Sequence, residues 1–265
     1  MSYRDKEYRT MLLSFEDPNI GIIQFNRPKA FNAVNLQFLD EIYEITVGLN
    51  EDPEVRAIIC TGNENCFAAG ADLKAVAGYN AFEARNFLDK VHRAVFAVED
   101  SHKPVIAAVN GLALGGGLEI ALACDIRVIA DNATLGLPEI NLGIYPGGGA
   151  TQRMPRNVPL GIAKQYVFTG DFFDAATADK IGLANMVVPA AEVMDTAKKL
   201  ARKLARKSPL ALREAKQSLN NSMNLDIKSG CRFEQIGWSL LFAGEDQKEG
   251  MTAFLENRRA EFKGQ

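Results

Sequence analysis

Pro104-Val-Ile-Ala-Ala-Val-Asn-Gly-Leu-Ala-Leu-Gly-Gly-Gly-Leu-Glu119 decides how the chain is read. After the proline come five apolar residues, the pattern of a buried strand. Asn110-Gly111 follows, then the triple glycine and a helix predicted over 116–123. A strand that passes to a helix through glycines is the unit of an α/β fold, with its sheet buried between helical layers. The alternation recurs on both sides. Gly21–Phe25, Val55–Cys60, Ile126–Ala130 and Ala184–Val188 read as further strands, and helical stretches fall near 35–50, 82–99 and 159–168.

Beyond about residue 190 the strand signals stop, and helical composition continues with breaks at Ser208-Pro209, Asn220 to Asn224 and Ala243-Gly244. The expected organisation is an α/β core over 1–190 and a helical region over 191–265. Lys and Arg crowd Lys198 to Lys216, which reads either as a solvated helix face or as a binding patch.

A length of 265 residues with 47% hydrophobic and 24% charged side chains is enough to bury a sizeable core. The net charge of −3 gives no global attraction to nucleic acid or to an anionic membrane, so an anionic ligand must meet local positive charge. Cys60, Cys66, Cys124 and Cys231 form no CxxC or metal-ligand spacing and read as reduced, mostly buried thiols. The first residues lack a secretory apolar stretch and no run reaches membrane-spanning length, so a cytoplasmic location is expected.

Three segments carry the chemistry. Gly115-Gly-Gly117 opens a helix whose first N–H groups have no intrahelical partner; it reads as an oxyanion cradle or as close backbone packing. Glu119 stands three residues after Gly116 and shares its helix face. The small residues of Cys66-Phe-Ala-Ala-Gly-Ala-Asp-Leu-Lys74 would let a flat ligand lie on the backbone, or form a tight turn. In Leu135-Gly-Leu-Pro-Glu139 the carboxylate stands at a strand end, either an exposed turn acid or a catalyst. Gly143-Ile-Tyr-Pro-Gly-Gly-Gly-Ala150 adds a second glycine cluster before a helix. Neither GxGxxG nor a P-loop fits these glycines, no GxSxG or HExxH occurs, and His92 and His102 are the only histidines.

With these segments in order, joined by Asn26-Arg-Pro-Lys-Ala-Phe-Asn-Ala33, Phe168-Thr-Gly170 and Glu245 to Phe254, the chain resembles the crotonase superfamily and within it the short-chain enoyl-CoA hydratases. The resemblance implies a spiral of ββα units making two sheets, and a C-terminal helical region that builds a trimer or a dimer of trimers. It implies an acyl-CoA thioester substrate, no separate cofactor, no metal, and no nucleic-acid or membrane partner. The backbone amides of Ala71 and Gly116 would form an oxyanion hole, with Glu119 as base for water and Glu139 as proton donor to C2. Gly147 would help seat the water. The substrate would lie along Lys29, Ala30, Ala68, Ala69, Gly70, Ala71, Asp72, Leu73, Lys74, Gly116, Pro138, Tyr145 and Gly147.

The chain departs from the common pattern at Leu137, where many relatives have glutamine, at Tyr145, and at Asn257, where a lysine often reaches coenzyme A phosphates. Arg258, Arg259 or Lys263 could substitute for that lysine, and Leu137 and Tyr145 make a branched or cyclic enoyl-CoA an alternative substrate. An enoyl-CoA isomerase is the alternative within the family; a non-catalytic scaffold or RNA-binding homologue is the alternative outside catalysis.

Overall fold

The computed structural model describes residues 2–16 and 19–265. In chain order the elements are β1 (Met11–Glu16), β2 (Ile20–Phe25), α1 (Leu36–Glu51), β3 (Ala57–Thr61), β4 (Cys66–Ala68), α2 (Leu73–Val76) and α3 (Ala81–Glu99). There follow β5 (Val105–Val109), β6 (Leu112–Leu114), α4 (Gly116–Ala123), β7 (Ile126–Ala130), β8 (Thr134–Gly136), α5 (Ala150–Asn157) and α6 (Leu160–Thr169). Then come β9 (Phe172–Asp174), α7 (Ala175–Lys180), β10 (Met186–Val188), α8 (Val193–Ala205), α9 (Pro209–Asn221), α10 (Ile227–Leu240) and α11 (Glu245–Leu255).

The strands divide between two sheets. A six-stranded sheet has the order β1-β2-β3-β5-β7-β10 and a four-stranded sheet the order β4-β6-β8-β9. From β3 onward the chain alternates: β3, β5 and β7 enter the long sheet in parallel, and β4, β6 and β8 follow each of them into the short sheet, also in parallel. Helices separate the pairs, so the expected ββα repeat is present. One boundary differs from the reading of the sequence: the triple glycine follows β6 rather than the strand ending near Asn110, because three residues cross to the second sheet first.

Burial explains the long sheet. β3 and β5 are buried at every position, as strands covered on both faces must be. One cover is α8, whose Val193, Ala197 and Ala201 recur every four residues, are buried, and meet β2, β3, β5 and β7. The first helix of the 191–265 region thus belongs by its contacts to the sheet. Elsewhere side-chain caps set the starts: Asn35 accepts from Phe38 N at 2.9 Å, and Asn80 forms a capping box with Glu83.

The basic stretch Lys198 to Lys216 separates into two kinds of residue. Lys198 and Arg202 pair with Glu16, while Lys216 is buried with its Nζ 2.9 Å from Asp125 Oδ2. Lys199, Lys203, Arg206 and Lys207, together with Arg202, line a groove of about 930 Å³ between α8, α11 and the chain after it. No helix among the described residues is long and apolar enough to cross a membrane.

Candidate active site

Three parallel strand ends deliver the expected groups. β4 leads into Ala69-Gly70-Ala71, β6 into Gly115-Gly116, and β8 into Pro138-Glu139. Parallel strands place equivalent ends together, which is why residues far apart in sequence meet here.

Ala71 owes its free amide to a bridge. Val34 pairs with it in parallel fashion, Val34 N donating to Gly70 O at 2.8 Å and Asp72 N to Val34 O at 2.9 Å. The neighbours' groups face Val34, so the period-two alternation turns the Ala71 N–H the other way. The segment is held from behind: fully buried Asn32 donates through Nδ2 to Cys66 O and Phe67 O, both at 3.0 Å, and Arg27 Nη2 lies 2.9 Å from Asp72 Oδ2.

The glycines of 115–117 do three different things. Gly115 has φ +49°, and a side-chain carbon there would lie 2.8 Å from Glu139 Oε1. A carbon at Gly117 would strike the Ala68 carbonyl oxygen, so this glycine serves close packing of β4 on α4. Gly116 is the open one. Its amide is the first of α4 and finds no backbone carbonyl among the described residues, and a carbon built on it would lie 3.8 Å from Ala71 N and 3.9 Å from Glu119 Oε2. The amides of Ala71 and Gly116 therefore border one gap, with both glutamates against the same pair of glycines.

The two carboxyls live in different surroundings. α4 is apolar nearly all round, and Glu119, 4% exposed, is its only ionisable side chain. Its Oε1 accepts from Ala150 N at 3.0 Å, the amides of Gly148 and Gly149 are turned toward it, and Arg153 lies beyond them. Burial pushes its carboxyl above the ordinary range against those donors. Glu139, in the 3-10 turn Pro138–Leu142, has a buried Oε2 with no hydrogen-bond partner among the described residues. Burial raises it to about 7; only its own amide opposes, and the Glu119 charge adds to the rise.

Other expected residues lie further out. Gly147 packs on α3, where a carbon built on it would lie 2.8 Å from Leu88 Cδ2. Pro138 is half-buried beside Glu139, whereas Tyr145 is 68% exposed and Leu137 is wholly buried in the core. Ala68 and Gly70 are buried and Ala30 and Ala69 half-buried; Lys29, Leu73 and Lys74 are exposed on the rim, and Asp72 is committed to Arg27. At the C-terminus Arg258 is engaged by Glu249 and Glu256, and it and Arg259 both line the groove beside α8, where Ala71, Gly116, Glu119 and Glu139 do not reach. No group of metal-binding side chains is assembled among the described residues.

Reasoning from sequence did not find the supporting shell: Asn32, the Arg27–Asp72 pair, and Arg153 with Glu99. Arg153 carried one signal. A cation near the start of a helix opposes the helix dipole and calls for a carboxylate partner.

Comparison with known proteins bears on the family and the fold. The family model described as Enoyl-CoA hydratase/isomerase matches residues 16–265. Crotonyl-CoA hydratase of Syntrophomonas wolfei is 44% identical over 256 residues, covering 96% of this chain and 98% of that protein. Short-chain-enoyl-CoA hydratase of Clostridium acetobutylicum is 44% identical over 247 residues, 93% of this chain and 95% of the relative. Among solved structures, an enoyl-CoA hydratase from Bacillus anthracis superposes with a TM-score of 0.94 at 38% identity, over 97% of this chain and 100% of that one.

Proposed function

The chain belongs to the enoyl-CoA hydratase/isomerase family, and we propose that it adds water across the C2=C3 bond of a 2-enoyl-CoA to give a 3-hydroxyacyl-CoA. The observation that carries the reading is the meeting of two unpaired amides and two unlike carboxyls around Gly115-Gly116. Attack at C3 drives electron density onto the thioester oxygen. The N–H groups of Ala71 and Gly116 donate to that oxygen, and a donor of this kind is worth roughly 2.7–4 kcal/mol of barrier.

The surroundings divide the roles. Burial raises Glu119 and so makes it a stronger base, while the amides and guanidinium it faces favour its carboxylate; it takes the proton from water. Glu139, raised to about 7 with an unpartnered oxygen, holds a proton in about half the molecules at neutral pH and delivers it to C2. Burial raises both carboxyls, and the pair titrates as a unit. Coenzyme A arrives as part of the substrate, along Ala68 to Lys74 with Lys29 and Lys74 at the phosphate end, and no further cofactor is required. A cytoplasmic setting fits the free thiols of Cys60, Cys66 and Cys124.

Self-association belongs to the same proposal, with 1–190 as the catalytic core and 191–265, chiefly α9 to α11, as the association region. Large apolar side chains there face outward, among them Ile227 at 80%, Trp238 at 62% and Phe254 at 81% exposed, more than an isolated surface tolerates. Light scattering should then report a trimer or its dimer.

The decisive measurement follows the absorbance of a conjugated 2-enoyl-CoA as it is hydrated. Wild-type protein should remove it, and Glu119→Gln and Glu139→Gln should each slow the loss by roughly 10²–10⁴-fold with the fold intact. Wild-type rates in both variants would sink the mechanism. A panel of straight, branched and cyclic thioesters, with a 3-enoyl-CoA to detect isomerisation, would identify the acyl group.

A further inference from the structure

Behind Glu119 lies an ion pair that the proposed reaction does not use. Arg153, in α5, is buried, and its Nε and Nη2 reach the two Glu99 carboxylate oxygens at 2.9 and 2.5 Å. Its third arm, Nη1, donates to Gly148 O at 3.2 Å, and the guanidinium carbon stands 5.2 Å from the centre of the Phe96 ring. A bridge between α3 and α5 alone would need only Glu99. The arm to Gly148 goes to the turn whose next amides hold Glu119. A side chain at 148 would strike the Glu119 carboxyl and one at 149 would strike Arg153 Nη1, so the Gly148–Gly149 backbone is all that separates the two charges.

We infer that Arg153, oriented by Glu99, is a positioning residue for the general base. It clamps the Gly148–Ala150 turn against the Glu119 carboxyl and supplies the positive charge behind that turn, keeping Glu119 the ionised partner of the pair. The inference rests on the reading of Glu119 as the base. Other charged or titratable groups facing this corner are Glu139 from the Pro138–Leu142 turn, Asp100 beside Glu99, and His92, whose ring stacks on Phe96 at 5.9 Å. Burial and Glu99 raise the Asp100 carboxyl, with Arg153 among the charges opposing.

The two members of the pair act on Glu119 with opposite sign, and this makes the test specific. Removing the positive charge (Arg153→Met) should move the acid limb of the kcat profile upward by about one pH unit, so that kcat on the descending part of the limb falls about tenfold with KM changed only a few-fold. Arg153→Lys should return part of the shift. Removing the negative counter-charge (Glu99→Gln) leaves Arg153 uncompensated and should move the limb downward. Glu99 is 28% exposed at its side chain and its amide analogue keeps the shape, so this variant reports even if Arg153→Met fails to fold. The assay uses the full chain and a straight-chain 2-enoyl-CoA thioester.

Limbs that stay in place in both variants, or that move in the same direction, would overturn the inference. If Glu119→Gln is inactive while those limbs stay fixed, only the role of Arg153 falls. If Glu119→Gln keeps the wild-type rate and profile, the proposed function falls with it.

Discussion

The two sheets of this protein are built on opposite terms. The long sheet has strands of up to six residues whose apolar side chains form the core, and β3 and β5 expose nothing. The short sheet has four strands of three residues each, and three of their ends carry the groups that meet at Gly115-Gly116. In the first, side chains hold the fold and the backbone is satisfied within the ladder. In the second, the backbone amides and two carboxyls beyond the strand ends are the groups that gather at one gap, and Gly115, Gly116 and Gly117 leave room for them. Stability and chemistry are thereby assigned to different layers, and substitutions in each should separate them.

The harshest test crosses the boundary. Gly117→Ala puts a carbon into the Ala68 carbonyl, which backbone must move to avoid; a loss of about 3 kcal/mol or more in stability, with activity lost as well, is expected from denaturant unfolding and rate assays. Ile59→Ala, in the wholly buried β3, should cost about 2–5 kcal/mol while the folded fraction keeps its kcat. Gly116→Ala should do the reverse. The new carbon has 3.8 Å of room, so the melting temperature should hold, but it fills the gap between the amides, and kcat should fall about 10²-fold. If Ile59→Ala damaged kcat, or Gly116→Ala damaged only stability, the division between sheets would be wrong.

The smallest effect has a sign of its own. Glu139 has an ordinary value of 4.5 and is raised to about 7 in the folded chain, so its contribution to stability is complete below 4.5 and is lost as pH rises to 7. Glutamine does not titrate. Glu139→Gln should therefore match wild type near pH 4 and gain about 1–2 kcal/mol over it at pH 8, after discounting for partial solvent access, even as its catalysis fails. Melting curves across that window would show the gain; a variant less stable at pH 8 would mean that the carboxyl is not held out of water.

The same contrast governs what could be read in the sequence. Five strands of the long sheet are legible as β-branched runs, with ends within two residues for most: four are five or six residues long, and three-residue β10 still shows its paired valines. β1 escapes, being an edge strand with half-exposed positions. The short sheet hides: Cys66-Phe-Ala or Leu112-Ala-Leu is too brief for periodicity and too poor in β-branched residues for propensity. Such strands exist because their neighbours do. Glu119, Glu139 and the glycines were readable as local chemistry, whereas Arg153 and Glu99, 54 residues apart, meet only through the packing of α3 against the turn before α5.

The bridge from Val34 to Ala71 carries a final consequence for how this site tolerates genetic change. Since the amide at 71 is turned away from Val34 through odd-even counting from Gly70 and Asp72, the proposed role of that position depends on length more than on side chain. Small side chains there should pass almost silently, whereas proline would remove the N–H itself. A single-codon insertion or deletion would swap parity, present an oxygen lone pair where a proton is required, and repel the intermediate it was meant to shelter.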